Sequence, residues 1–399
     1  MLSTLCTVVS LLPVLQLTGA QTTGFFNTVT FNVAGLPDSI NGNDVPGDKT
    51  ANTARIGQLF TQHDIDLIHV QEDFNYHATL YANDNHPYKT PTSGGVPIGS
   101  GLNSLSNFPY TDFERVKWSE CSTFEASNLR QVSDYVKINS IGNPVVIFGD
   151  SNTRYTRTGD IPSIFSTDNG MKDIWIELVR KSVAPTAGSD ALLCDNPSPN
   201  TTCETVDKVW YRGSSAITLQ ATTFDYAGDM FLQEDGNILS DHDPVLVDFT
   251  WTLKGQLTVG DPYGGEYGTW FNDLETLSKI SDVKVATVTL RGKDRLDGVA
   301  LSLSSGQSLT HGGTGGTAST LTLNSGEILT AATLCQGEKD GKSRIFYAQL
   351  RTSAGRSVSA GVKTSTCVEK TAASGSSFVG FLGRSGDEID KLGFVSIKA

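Results

Sequence analysis

Positive charge is scarce in this chain. Its 30 Lys and Arg are outnumbered by 43 Asp and Glu, for a formal net charge of −13 over 399 residues. A protein that grips duplex phosphates wants a basic face, so a polynucleotide is not the first substrate this balance suggests, although a local basic patch can survive an acidic total. Long apolar runs are missing too. Beyond residues 1–20 no stretch approaches the ~20 residues that cross a bilayer as a helix, which argues against a membrane span. Residues 1–20 hold Leu11-Leu12-Pro13-Val14-Leu15 and end in Thr18-Gly19-Ala20. They read as a signal peptide cleaved after Ala20, with no Lys or Arg ahead of its apolar core, and imply a soluble, secreted protein.

Cysteines are few: six, of which Cys6 would leave with the signal peptide. In an oxidising compartment Cys194 with Cys203 and Cys335 with Cys367 are expected local pairs, and Cys121 is left over. Asn200-Thr201-Thr202, between Cys194 and Cys203, is a glycosylation sequon that suits an exposed extracellular loop.

What is present divides in two. Residues 24–253 alternate short apolar strands with amphipathic stretches. Thr28–Val33, Ile65–Val70, Pro144–Phe148 and Val245–Phe249 read as strands, the third of them buried. Ile56, Leu59 and Phe60 mark one helix, and Leu129, Val132 and Val136 another. This mixture predicts an α+β or α/β arrangement of packed layers. Near Trp251–Asp261 the composition shifts to Gly, Ser and Thr and helical periodicity disappears. Asp282–Leu290, Gly298–Leu303, Thr320–Leu323, Ile345–Thr352 and Val379–Leu382 are strands between Gly-rich turns, which predicts an all-β domain over residues 258–399.

Chemistry-bearing residues gather at strand ends. Asp150 and Asn152 follow Val145-Val146-Ile147-Phe148 and, two apart in extended chain, project to one face. Glu72 closes Ile65–Val70, Asn32 lies at the end of Thr28–Phe31, and Asp241-His242 precedes Val245–Phe249. Hard oxygen donors suit Mg²⁺ or Mn²⁺, and amides with an imidazole can hold a phosphoryl oxygen. Each piece alone is an ordinary turn or loop, since Asp, Asn and Gly are turn residues. Together and in this order they point to a phosphate ester as substrate.

Over residues 25–250 the chain resembles the endonuclease/exonuclease/phosphatase superfamily, whose fold is the four-layered α/β sandwich of deoxyribonuclease I. The carriers are Phe31-Asn32-Val33-Ala34-Gly35, Val70-Gln71-Glu72, Gly99-Ser100-Gly101-Leu102 through Phe108-Pro109, Gly149-Asp150-Ser151-Asn152, Asp207-Lys208-Val209 and Ser240-Asp241-His242-Asp243-Pro244-Val245. The resemblance implies Glu72 as the principal metal ligand, with Asn32 and Asp241 nearby. It makes Asp150 the group that orients and deprotonates water, and Asn152 and His242 stabilisers of charge on the phosphoryl oxygens. Arg154 looks like the Arg that follows this motif in inositol polyphosphate 5-phosphatases; the other reading is a surface salt bridge.

One expected residue is absent. The family carries a further catalytic His on a central strand, paired with the Asp of Asp207-Lys208-Val209. Here the helix begins near Asn128, directly after Trp118–Phe124, and the histidines at 63, 69, 77, 86, 242 and 311 all lie outside that interval. Asp207 is therefore expected to lack a partner, a central segment to be missing near residues 124–125, and hydrolysis to be sharply reduced. Of the remaining histidines, His77 and His86 follow the Gln71-Glu72 strand, where loop roles suit them better than substitution for the missing one.

The Gly-rich region resembles a jacalin-related lectin, a β-prism of three four-stranded sheets. The carriers are Tyr263–Asp273, His311-Gly312-Gly313, Leu321–Glu327 and Phe378–Phe394. The family's sugar loop, Gly-x-x-x-Asp, matches Gly386 to Asp390. The resemblance implies that backbone donors of Asp387 and Glu388 and the Asp390 carboxylate bind saccharide hydroxyls, and that Gly268 lets sugar approach the backbone. Both glycines could instead be plain turn glycines. The chain is thus expected to be a secreted, metal-dependent phosphoesterase with a glycan-binding module. Its rivals are a carbohydrate-binding protein with an inert phosphoesterase-like domain, and a nonspecific endonuclease.

Overall fold

The computed structural model describes residues 22–37, 45–94, 99–119 and 125–398. The expected signal peptide, Cys121 and the Phe124 side of the expected gap lie outside the described residues. Two compact units result. One is built from residues up to Val136 with Pro144–Arg212 and Leu219–Thr252; the other comprises Lys137–Asn143, Gly213–Thr218 and residues from Leu253 onward.

The first unit holds a six-stranded sheet, in the order β3 (Tyr88–Lys89), β4 (Asn103–Ser106), β2 (Leu67–Gln71), β1 (Thr23–Asn32), β9 (Val245–Leu253), β8 (Ile217–Tyr226). It also holds a three-stranded sheet, β5 (Val145–Asp150), β7 (Asp207–Arg212), β6 (Lys172–Asp173). Helix α1 (Lys49–Gln62) starts where the Asp48 carboxylate accepts the Ala51 N–H at 2.8 Å, an N-cap worth about 1 kcal/mol. Its Ile56, Leu59 and Phe60 recur at helical spacing and bury against Val29, Phe31, Ile68 and Val70 of β1 and β2. Two further apolar clusters complete the core. Val209, Tyr211, Val245, Val247 and Phe249 form one with Val146 and Phe148. Leu129, Val132 and Val136 of α2 (Glu125–Asn139) join Phe165 and Trp210 in the other.

Strand β5 departs from expectation. Its apolar run predicts burial, yet every residue from Val145 to Asp150 is only half-buried. The reason lies in the pairing: among the described residues β5 has β7 on one side and no strand on the other.

The second unit is an all-β prism. Its five-stranded sheet comprises β10 (Leu257–Val259), β11 (Tyr263–Gly264), β12 (Thr269–Asn272), β21 (Ser376–Ser385) and β22 (Ile389–Lys398). A four-stranded sheet follows from β13 (Val285–Gly292), β14 (Leu296–Leu303), β15 (Ser308–Gly312) and β16 (Thr317–Thr322). Another is made of β17 (Leu329–Lys339), β18 (Lys342–Thr352), β19 (Ser357–Gly361) and β20 (Thr366–Thr371). Two details correct the sequence reading: one sheet has five strands, because both β10 and β11 pair β22, and a helical turn spans Leu274–Leu277. Alternation along β14 buries Leu296, Val299, Leu301 and Leu303. Disulfides join Cys194 to Cys203 and Cys335 to Cys367, the latter directly opposite each other on β17 and β20.

Candidate functional site

Strand direction explains why distant motifs meet. β1 and β2 run parallel, so Asn32 and Gln71 finish side by side. β9 runs antiparallel to β1, so the segment entering it, Ser240–Asp243, arrives at the same end. β7 runs antiparallel to β5 with Asp207 directly opposite Asp150.

The contacts follow from this layout. The Asn32 amide donates to Asp150 at 3.3 Å, while its oxygen accepts the Ala34 N–H at 3.1 Å. The Asn152 N–H donates to Asp150 at 2.8 Å, with Asn152 in the left-handed region at φ 52°. His242 Nδ1 lies 2.8 Å from Asp207 Oδ2. The expectation that Asp207 lacks a partner is therefore wrong: the imidazole after Asp241 fills that place, through a fold-level juxtaposition of β7 with the entry to β9. The other Asp207 oxygen is buried with no hydrogen-bond partner among the described residues.

Charge at this site is poorly compensated. Burial, then the neighbouring Asp207, push the Asp150 carboxyl up to about 6. Burial works to lower His242, but Asp207, through charge and hydrogen bond, and then Asp150 and Asp241 raise it to about 10. His242 is thus an imidazolium at neutral pH, a donor and a positive charge rather than a base. Glu72, itself left-handed at φ 58°, is raised chiefly by burial, less its hydrogen bond with Asn32, with Asp241 adding to the rise. Among the described residues no three His, Cys, Asp or Glu side chains cluster as a ready-made metal cage. Glu72 and Asp241 do supply two carboxylates, and a hydrated Mg²⁺ commonly takes only one or two. The donor set fits such an ion, whose charge would relieve the raised Glu72.

Arg154 is less committed than expected. Its backbone N–H donates to Asp160 at 2.7 Å, its Nε is buried without a hydrogen-bond partner, and no bond to Asp150, Asn152 or His242 is seen among the described residues. Several positioning residues escaped the sequence reading. Ser240 Oγ donates to the Asn32 carbonyl at 2.6 Å and accepts the His242 N–H at 3.2 Å. Arg157 donates to the Asn152 carbonyl. Glu204, paired with Lys208 at 3.2 Å, accepts the Tyr155 N–H at 2.5 Å and holds the chain beyond Asn152. Only Ser240 and Lys208 carried a signal, as members of quoted motifs.

Two of the other histidines, His69 and His86, are structurally occupied, whereas His77 Nδ1 is buried with no hydrogen-bond partner among the described residues. Burial lowers His69 to about 4, and its Nδ1 meets Ser104 Oγ at 2.9 Å. His86 is held by Asp84 at 2.6 Å and the Ile65 carbonyl at 2.5 Å.

In the prism, Gly268 has φ 78°, and a Cβ there would stand 2.6 Å from Asp390 Oδ2. Asp390 is 3% exposed, and its Oδ1 has no hydrogen-bond partner among the described residues. Nothing lies within 4 Å of the position a Gly386 Cβ would take, so that face of the loop is open. The Glu388 carboxylate is occupied by Arg295, with Nε at 2.8 Å, and by Arg344 at 2.9 Å. Only the backbone of residue 388 remains to meet a ligand, as the loop resemblance implies. At the sequon, Asn200 is exposed and its Oδ1 accepts the Thr202 N–H at 2.9 Å.

Residues 260–395 match the family model of the jacalin-like lectin domain. Sphingomyelinases of Mycobacterium bovis and Mycobacterium tuberculosis are 28% identical to the chain over 268 residues, covering 57% of it and 53% of each relative. The chain thus spans about half the length of the curated relatives it matches. Since 57% of 399 residues is about 227, it fills about 40 fewer positions than the 268 aligned. Similar solved structures include a mannose-binding jacalin-related lectin from Ananas comosus (20% identity, 36% of this chain and 99% of that one, TM-score 0.31). A mannose-specific jacalin-related lectin from Morus nigra in complex with mannose is another (22% identity, 36% and 96%, TM-score 0.31).

Proposed function

We propose that the chain is a secreted phosphoesterase of the deoxyribonuclease I-like, four-layered kind, dependent on a divalent cation and carried to its target by a glycan-binding prism. The observation that carries the reading is the convergence of Asn32, Asp150, Asn152, Asp207 and His242 at one end of two sheets, beside Glu72 and Asp241. The name of the mycobacterial relatives makes the phosphodiester of a phospholipid headgroup the favoured substrate class.

The residues divide the work. Glu72, with Asp241 and Asn32 nearby, would hold Mg²⁺ or Mn²⁺; bound there, the ion supplies Lewis acidity towards the ester. Asp150, hydrogen-bonded by Asn32 and Asn152 and poised near 6, orients and accepts a proton from water. The imidazolium of His242, fixed by Asp207, and the Asn152 amide stabilise charge growing on the phosphoryl oxygens. Arg154, whose buried Nε has no hydrogen-bond partner among the described residues, is a candidate for a further anionic oxygen. In the prism, Asp390 and the backbone of Asp387 and Glu388 bind saccharide hydroxyls beside Gly268 and Gly386.

A second reading, a glycan-binding protein with an impaired hydrolase unit, is favoured by one observation. His242 alone among the described histidines reaches the site, and β5 stands half-buried at an open sheet edge. One experiment separates the two. Hydrolysis of bis-p-nitrophenyl phosphate should be weak, Mg²⁺-dependent and abolished by Glu72→Ala. A rate equal to that of Glu72→Ala leaves only the glycan-binding role.

A further inference from the structure

We propose that the loop from Leu178 to Leu193 is an interfacial anchor that inserts into a zwitterionic phospholipid surface and brings the candidate active site to it. This rests on the phosphoesterase reading for its purpose, but not for its geometry.

Ten large hydrophobic side chains are exposed among the described residues, and three of them, Leu178 (36%), Val183 (64%) and Leu193 (65%), fall within these sixteen positions. Single exposed apolar residues are ordinary; concentration on one loop asks for a cause. Between them the segment is rich in small apolar residues, with Ala184, Ala187 and Ala191 all exposed.

The loop is presented rather than loose. It leaves a π-helical turn, Trp175–Val179, a form that is rare and often found at functional sites. Lys181 and Ser182 then both adopt left-handed backbone, at φ 52° and 65°. Two consecutive non-glycine residues in that region are strained and persist only when surroundings enforce them. Here the Arg180 N–H bonds to the Trp175 carbonyl at 3.0 Å, that of Ser182 to Ile176 at 2.7 Å and that of Val183 to Arg180 at 3.0 Å.

The loop is also bound to the site's own elements. The Gly188 N–H donates to the Thr156 carbonyl at 2.8 Å, four residues past Asn152. Just beyond the loop, Asn196 donates to the Ser240 carbonyl at 2.9 Å, and the Ser198 N–H to Asp243 at 3.1 Å. The Cys194–Cys203 disulfide closes this stretch. Apolar tips and candidate catalytic motifs therefore share one scaffold.

Charge selects the surface. Within Leu178–Leu193 Arg180 and Lys181 exceed Asp190 by one, so the segment is close to neutral in a chain of net −13. Approach to a strongly anionic membrane is opposed by the whole, whereas a zwitterionic headgroup layer meets neither attraction nor repulsion and is entered by apolar burial.

The test is flotation of the full chain with large unilamellar vesicles of phosphatidylcholine and sphingomyelin, free of glycolipid so that the prism has no sugar to hold. The native chain should float. Val183→Glu with Leu193→Glu should lower partition by about tenfold per side chain, since burying each is worth that factor or more. The melting profile should not move. Val362→Glu, on the prism at 53% exposure, should float as the native chain does. A native chain that stays in the aqueous layer, a double variant that floats equally well, or an equal loss from Val362→Glu overturns the proposal. Calorimetric Mg²⁺ titration keeps the two readings apart. No cation uptake with flotation intact sinks the phosphoesterase reading alone, and uptake without flotation sinks the anchor alone.

Discussion

The paired carboxylates of the prism and those around the first unit's candidate site handle charge in opposite ways. In the prism, carboxylates are matched to guanidinium groups: Arg356 holds Glu327 down at about 2, and Arg295 and Arg351 keep Glu388 and Glu369 below their ordinary range. In the first unit, burial pushes Asp73, Asp150 and Asp243 each up to about 6. Matched charge belongs to structure, and unmatched charge to a place awaiting a ligand. The prism carries its own exception in the sugar loop, where burial raises Asp390. Raised carboxylates thus collect where chemistry or binding is expected.

Five measurements would break or sharpen that contrast. The largest effect should come from crosslinks. Replacing Cys335 and Cys367 by Ala, 32 positions apart, should cost the prism about 3–4 kcal/mol, and the same change at Cys194 and Cys203, 9 apart, about 2–3 kcal/mol in the first unit. Chemical denaturation of the full chain reads both. Next, His242→Ala should destabilise the first unit by about 3 kcal/mol at neutral pH, because Asp207, 4% exposed, loses its counter-charge. A variant as stable as the native chain would mean that Asp207 is not charged.

Third, Asp390→Ala should weaken glycan binding on an array by about thirtyfold, the loss of one charge-assisted hydrogen bond. The prism's melting temperature should shift little, since this carboxylate's one ion pair, with Arg344 at 3.8 Å, is long and its Oδ1 accepts no hydrogen bond among the described residues. Fourth, the units should respond to acid with opposite sign when metal is chelated. Raised carboxyls near 6 give the first unit stability that is fully present below about 3.8 and lost as pH rises through 6; His242 adds a contribution lost as pH rises through about 10. Glu327, depressed to about 2, stabilises the prism above about 4.5 and ceases to as pH falls through 2. Calorimetric scans from pH 3 to 8 should show the first unit's transition falling while the prism's holds or rises. Smallest of all, Gly386→Ala should change prism stability by less than about 0.5 kcal/mol, since the added methyl meets open space, while reducing glycan affinity.

Legibility in the sequence followed the range of the interaction involved. Asp150 with Asn152, Glu72 at a strand end and Asp241-His242 ahead of β9 were visible because each is a local pattern. So were the Cys194–Cys203 and Cys335–Cys367 pairs, short in separation, and the helix carrying Ile56, Leu59 and Phe60. Long-range contacts were not. The union of Asp207 with His242 depends on the start of β7 lying beside the entry to β9, and the roles of Arg157 and Glu204 depend on loop paths that no spacing reveals. The exposure of β5 was hidden for a related reason, because an apolar run states what a strand would bury but not whether neighbours arrive.

By itself the sequence determined the division into a mixed unit and an all-β unit, the acidic balance, and which residue types stand at the strand ends. Periodicity and turn chemistry act over a few residues, and those choices need nothing more. Tertiary structure alone decided which carboxylates face each other, which histidine is held as an imidazolium and which are locked in the core. It also decided that Val183 and Leu193 stand in solvent. Burial and Coulomb coupling depend on distances across strands and loops far apart in the chain, and only the folded arrangement sets those distances.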